Sequence, residues 1–269
     1  MNIISFYYHA PIVEGVEKII RHYLKQGYRF ISVDELLTIM HSGKAVEEKL
    51  AFISLDDGWK QNFELLPIID RYQVPICIFV STQPVIDGNF WWEYVEKVRD
   101  KEGVNQFKLL QYDEFYKQLD EIKKKITLPR SAMTVEEVKE ISKHPLVSIQ
   151  AHTVNHPILT SVPDDVLEME LRDSKRILEE WTAKKINAFS YPNGRNTLRE
   201  SEMARKYYDI SFTTIQHHIC IGDDPMLLPR YSLTGQWPRD LLKVKGIWWK
   251  MKGLIRFFGL KRKKTIYDA

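Results

Sequence analysis

The chain has 269 residues, a formal net charge of +3 and 44% apolar residues, which bounds it to one large globular domain or two small ones with an adequate core. Only Cys77 and Cys220 are present, and Cys77 lies inside an apolar run, which argues against a disulfide framework. The N-terminus lacks a positively charged start and a small-residue cleavage site, and no apolar run is long enough to span a bilayer. A cytoplasmic location is therefore expected, with no nucleic-acid partner.

Ile3–Tyr8 is rich in β-branched and aromatic residues and reads as a strand ending in His9. Val13–Gln26 carries Val13, Val16, Ile19, Ile20 and Tyr23 at helical spacing and stops at Gly27. A short strand over Arg29–Val33 and a helix over Asp34–His41, capped by Asp34, follow. Ala51–Leu55 is a buried strand closed by Asp56, Asp57 and Gly58; Asn62–Tyr72 reads as helix and Pro75–Val80 as the next strand. This rhythm predicts parallel strands covered by helices.

Residues 81–146 break the rhythm with Trp91 and Trp92 after a Gly-Asn turn and then a charged helical insertion, about 90–140. Paired aromatics there suit either a core or a lip that grips sugar rings. Val147–Ala151 alternates like a strand and leads to His152 and His156, with Pro157 directing His156 to a loop. Asp164–Thr182 is an amphipathic helix, Ile186–Ser190 a strand leading into Tyr191, Pro192, Asn193 and Gly194, and Asp209–Thr214 another strand. His217 and His218 are adjacent and read as loop residues, because neighbouring side chains seldom face one ion.

Successive strand side chains alternate, so Asp56 and Asp57 at one strand's mouth can do different jobs. A strand end with an Asp57 helix cap is the plain alternative. Two histidines and an aspartate make a three-ligand set with room for water, suited to zinc and its neighbours.

Ser54–Gly58 and His152–His156 resemble the first and second motifs of the polysaccharide deacetylases (carbohydrate esterase family 4, NodB homology), over about residues 3–235. The resemblance implies an incomplete or distorted (β/α)7-type barrel, an α/β fold, over residues 1–236, followed by a tail over 237–269. It also implies a metal on Asp57, His152 and His156, Zn²⁺ first and Co²⁺, Ni²⁺ or Fe²⁺ also fitting, with Asp56 as general base. Tyr8–His9 is similar to the N-terminal motif of a circularly permuted branch, which makes His9 the candidate general acid. Tyr191–Gly194 resembles the third motif, with Asn193, Tyr191 and Pro192 as oxyanion and substrate residues. Ser190 stands where that family commonly has the arginine that orients the base, and Arg230 is the candidate replacement. Trp91 and Trp92 are candidates for a substrate lip.

From Leu241, an apolar stripe (Val244, Ile247, Trp248, Met251, Leu254, Ile255, Phe258) is bordered by lysines and followed by Lys261–Lys264. Such a helix suits an anionic membrane surface, reached by 241–264, or docking on the barrel. The expected activity is removal of an N-acetyl group from an amino sugar in a glycan or lipid-linked precursor at the inner membrane face. Alternatives are a deformylase or O-deacetylase using the same groups, and a non-catalytic glycan-binding or scaffolding protein.

Overall fold

A computed structural model describes residues 2–44 and 46–245. The elements in order are β1 (Asn2–Tyr8), α1 (Val13–Lys25), β2 (Tyr28–Phe30), α2 (Val33–Ser42), β3 (Lys49–Leu55), α3 (Leu66–Tyr72), β4 (Ile76–Val80), α4 (Thr82–Asp87), α5 (Trp91–Phe107) and α6 (Tyr112–Lys123). There follow α7 (Val135–Ser142), β5 (Val147–Ala151), α8 (Asp164–Thr182), β6 (Ala188–Ser190), α9 (Leu198–Ala204), β7 (Ile210–Phe212), β8 (Ile219–Cys220), β9 (Tyr231–Ser232) and α10 (Arg239–Val244). Among these helices none is long and apolar enough to cross a membrane.

The strands run β7–β6–β5–β4–β3–β1 in one parallel sheet. The sheet curls until its ends meet. Phe212 of β7 bridges Leu228, and three residues later Tyr231 and Ser232 of β9 pair in parallel with Phe6 and Tyr7 of β1. Residues 228–232 thus form the seam of a distorted barrel. The short β2 and β8 pair with the lower halves of β3 and β1, off the ring.

Side-chain alternation divides the core in two. Outward residues such as Ile4, Phe6, Ile53, Leu55, Ile78 and Ile149 pack under α1, α3, α7, α8 and α9. Inward residues form a second cluster, with Leu50, Phe52, Cys77, Phe79, Ile210, Phe212 and Leu228 closed below by Val33, Leu36 and Leu37 of α2. Phe52 and Phe79 both lie against Phe212, at ring separations of 5.3 and 5.4 Å. Truncating such a ring to alanine costs about 3–5 kcal/mol. One step further up these strands the inward positions turn polar: Ser54 on β3 and Asp56 just after it, Ser190 on β6, His152 after β5.

Several local expectations change. The cap of α2 is Ser32, which accepts the Glu35 amide at 3.1 Å, so Asp34 sits in the first turn instead. The stretch after Gly58 begins as 3₁₀ turns over Lys60–Leu65, and the α-helix starts only where Pro67 fits its first turn. α5 and α6 fill much of the expected insertion and carry their own core, with Trp91, Phe107 and Phe115 at its centre. α10 docks: Val244 is buried, and buried Asp240 accepts the Thr234 and Gly235 amides at 3.0 and 2.7 Å. The expected membrane stripe therefore begins with a residue, Val244, that faces the core. Its remainder lies outside the described residues.

Candidate active site

Asp56 continues the inward series of β3, so its carboxylate enters the barrel just above the apolar layer. Arg230 meets it from the seam. Nη1 donates to Oδ1 at 2.7 Å and Nη2 to Oδ2 at 2.9 Å, the two-pronged geometry that only a guanidinium supplies. Arg230 also donates to Ser54 Oγ, Ser190 Oγ and the Thr213 carbonyl, and its guanidinium lies 4.4 Å from the Tyr7 ring centre. Arg230 is fully buried, so its charge is tolerated only because these partners surround it. Burial alone would raise the Asp56 carboxyl; Arg230 and His152 outweigh burial and hold it below its ordinary range. The small Ser190, found where an arginine was expected from the resemblance, leaves space that Arg230 occupies from the seam just before β9.

Asp57 turns away from Asp56 because it has φ 79°, followed by Gly58 at φ 95°. A left-handed aspartate is tolerated at modest cost, and here it aims the second carboxylate across the barrel mouth. Asp57 Oδ1 lies 3.4 Å from Nε2 of both His152 and His156, and ligand atoms of the three residues all fall within 4.8 Å of one another. The separations exceed a normal imidazole–carboxylate hydrogen bond. Asp57 Oδ2 accepts Trp59 Nε1 at 2.8 Å, whereas the buried Oδ1 has no hydrogen-bond partner among the described residues. His152 Nδ1 contacts the Ser190 carbonyl at 2.7 Å; as donor there, it leaves the Nε2 lone pair turned to Asp57. Burial lowers the His156 imidazole, favouring the neutral form that binds a cation. Burial would raise Asp57, but His9 and the two histidines bring it well below the carboxylate range. A buried carboxylate oxygen without a donor, facing two imidazole nitrogens, fits a divalent cation of the zinc type.

The loop that carries both histidines is braced from every side. Ser81 and Thr153 hydroxyls donate to the His152 carbonyl, and Thr153 Oγ1 accepts the His156 amide at 3.0 Å. Glu170 of α8, buried, accepts the amides of Val154 and Asn155 and the Asn155 side-chain amide, at 2.8, 2.9 and 2.7 Å. Thr153 and His156 adopt φ 69° and 55°, a strained path that these bonds hold. None of Trp59, Ser81 and Glu170 was singled out from sequence. Trp59 directly follows the Asp-Asp-Gly turn, which was the available signal; Glu170 is one more acidic residue on an amphipathic helix and gave none.

The remaining candidates sit around this centre. His9 is exposed at the top of β1; its neighbour Tyr8 accepts the Asp56 amide at 2.7 Å, and buried Asn62 donates to the His9 carbonyl. Its charge lowers both Asp56 and Asp57. Asn193 crowns the turn after β6 at φ 56°, and Lys108 Nζ donates to its Oδ1 at 2.7 Å. Pro192 is buried beneath it. Tyr191 is corrected: its side chain runs into the core against Phe189, its hydroxyl accepting from Ser211, so it offers nothing to a substrate. Trp91 is corrected likewise. It is buried, and its Nε1 donates to the His156 carbonyl at 3.0 Å. Trp92 is half-buried, stacks on Phe90 and meets the His156 ring edgewise at 4.7 Å, beside the metal-ligating set and not in the core.

Comparison with known proteins bears on the fold and the family. YxkH of Bacillus subtilis (strain 168), whose name provisionally calls it a polysaccharide deacetylase, is 23% identical over 190 residues, covering 70% of this chain and 53% of its own. The chain thus spans about half the length of that curated relative. Deacetylase PplD of Streptococcus pyogenes, solved in complex with acetate, has the same fold, with a TM-score of 0.66 at 19% identity, covering 91% of this chain and 98% of PplD. IcaB from Ammonifex degensii also has a TM-score of 0.66 at 19% identity, with coverage of 92% and 96%. A de-N-acetylase from Aggregatibacter actinomycetemcomitans reaches 0.62 at 16% identity, with coverage of 90% and 98%. The sequence profile "Polysaccharide deacetylase" matches residues 43–209, more than half of the chain and the stretch bearing Asp56, Asp57, His152 and His156, so the chain belongs to the polysaccharide deacetylase family.

Proposed function

We propose that this chain hydrolyses the N-acetyl group of an amino sugar in a glycan or lipid-linked saccharide, releasing acetate and a free amine. The observation that carries the reading is the separation of two adjacent carboxylates. Asp56 is clamped by Arg230, and Asp57 faces two imidazoles. The pairing keeps Asp56 ionised and oriented to take a proton from water. Asp57, His152 and His156 would hold the cation, zinc first, with Co²⁺, Ni²⁺ or Fe²⁺ also fitting the donor set. Such an ion supplies Lewis-acid chemistry to a carbonyl and to water. The backbone N–H of Asn193 is offered to the developing oxyanion, and His9, exposed and near enough for its charge to act on both aspartates, delivers a proton to the departing amine. The placement of His9 directly after β1, ahead of the matched stretch, supports the permuted order of motifs. Arg230 disfavours a non-catalytic binder, which has no need of a clamped base.

The test is metal analysis together with acid release. Wild type should carry near-stoichiometric divalent metal and release acetate from an N-acetylated amino-sugar oligosaccharide. Asp57→Ala should lose the metal, and Asp56→Asn should keep it while losing turnover. Release of formate from N-formyl substrates, or acetate from O-acetyl ones only, would redirect the acyl specificity. Protein that stays metal-free after reconstitution would sink the hydrolytic reading. The basic, aromatic stretch beyond α10, residues 246–264, supports a peripheral position on an anionic membrane face, the inner one if the chain is cytoplasmic.

A further inference from the structure

The insertion touches the site through a residue, Lys108, that the proposed chemistry does not use. Lys108 follows α5 directly, and its neighbour Phe107 is fully buried between Trp91 and Phe115. From that fixed base its ammonium reaches Asn193, 85 residues on, with Nζ to Oδ1 at 2.7 Å. The turn it meets needs holding. Asn193 (φ 56°) and Gly194 (φ 65°) are consecutive left-handed residues, and the Gly194 and Arg195 amides fold back onto the Tyr191 and Pro192 carbonyls. A Cβ on Gly194 would fall 2.0 Å from Thr214 Oγ1, so the turn lies tight against the segment that follows β7. The charge of Lys108 is also felt at His156.

We propose that Lys108 is a positioning residue of the deacetylation reaction. Its bond to the Asn193 side chain locks the turn so that the Asn193 N–H meets the oxyanion, and its charge favours that oxyanion. The same aromatic cluster that anchors Lys108 includes Trp91, which holds the His156 carbonyl. One inserted core therefore braces the oxyanion turn and a metal-ligand loop together. This rests on the deacetylase reading above.

The test uses the full chain as wild type, Lys108→Ala, Lys108→Arg, Asn193→Gly and the Lys108→Ala/Asn193→Gly double variant. Amide hydrogen exchange across residues 190–197 reads the clamp without reference to activity. Lys108→Ala should speed it about tenfold or more, Lys108→Arg should restore it, and the double variant should exchange no faster than its faster parent. Turnover of an N-acetylated amino-sugar oligosaccharide should show kcat down by about 10- to 100-fold in Lys108→Ala, as expected for a misplaced reacting group, with KM and metal content unchanged. Unaltered exchange in Lys108→Ala would overturn the clamp. A raised KM with intact kcat would overturn the positioning role and make Lys108 a substrate contact. A wild type without acetate release defeats the deacetylase reading and with it the catalytic part of the proposal, while exchange still decides whether Lys108 holds the turn.

Discussion

Arg230 and Asp56 lie 174 residues apart and meet as a fully buried, two-pronged ion pair across the barrel seam. Removing one member leaves the other charged, dry and unpartnered. Arg230→Ala should therefore destabilise by about 3–5 kcal/mol, and Arg230→Lys by less, since it keeps charge but not the fork. Urea unfolding of the single variants and of Arg230→Ala/Asp56→Asn reads this directly. The double variant should be more stable than the sum of the two losses; strict additivity would show that the pair is not coupled.

Glu170 has no reach to a substrate, yet it collects three donors from the loop that presents His156. Its loss frees Val154 and Asn155 and lets the histidine drift. Glu170→Ala should weaken divalent-metal affinity by about 10- to 100-fold, the usual effect of removing support behind a ligand. Competition with a chromogenic chelator measures it. Unchanged affinity in a folded variant would make Glu170 a helix-packing residue only.

The legibility of these groups in the sequence follows their locality. Asp56, Asp57, His152 and His156 are displayed by short strand-to-turn motifs, so alternation and one proline put them at strand mouths and the family resemblance supplied their roles, while the left-handed turns that aim Asp57 and His156 leave no local pattern. α8 was likewise readable over its full Asp164–Thr182 span, because its apolar stripe is long. Arg230 could be suggested only through the gap left by Ser190; its partner is fixed by barrel closure, which no local pattern records. Tyr191 and Trp91 misled for a related reason. Their positions beside site residues were legible, but whether a ring turns to the mouth or the core depends on neighbouring elements.

His156 gives the apo protein a pH signature. Burial lowers its imidazole below the ordinary 6.5, so below that pH the unfolded chain takes a proton that the folded chain refuses. Stability of the metal-free protein should be full above pH 6.5 and fall as pH drops from there towards the lowered value. Urea midpoints against pH should show this slope in wild type and a flatter one in His156→Gln. An identical slope in both would assign the acid sensitivity elsewhere.

The C-terminal segment separates into two experiments because α10 docks while the basic stretch beyond it is proposed to bind lipid. Asp240 ties down the Thr234 and Gly235 amides, and Val244 enters the main core. Ending the chain at Pro238 should therefore cost stability, about 2–5 kcal/mol by analogy with lost core side chains and unpaired buried amides. Ending it at Lys245 should leave the unfolding midpoint close to wild type, since the docked contacts are retained. Sedimentation with anionic phosphatidylserine vesicles should capture the intact chain and release it at high salt, because each lysine or arginine near such a surface contributes about 1 kcal/mol of screened attraction. The Lys245-terminated chain should stay in the supernatant. If it pellets as well as the intact chain, residues 246–269 are not the membrane-binding element, and the basic stripe needs another partner.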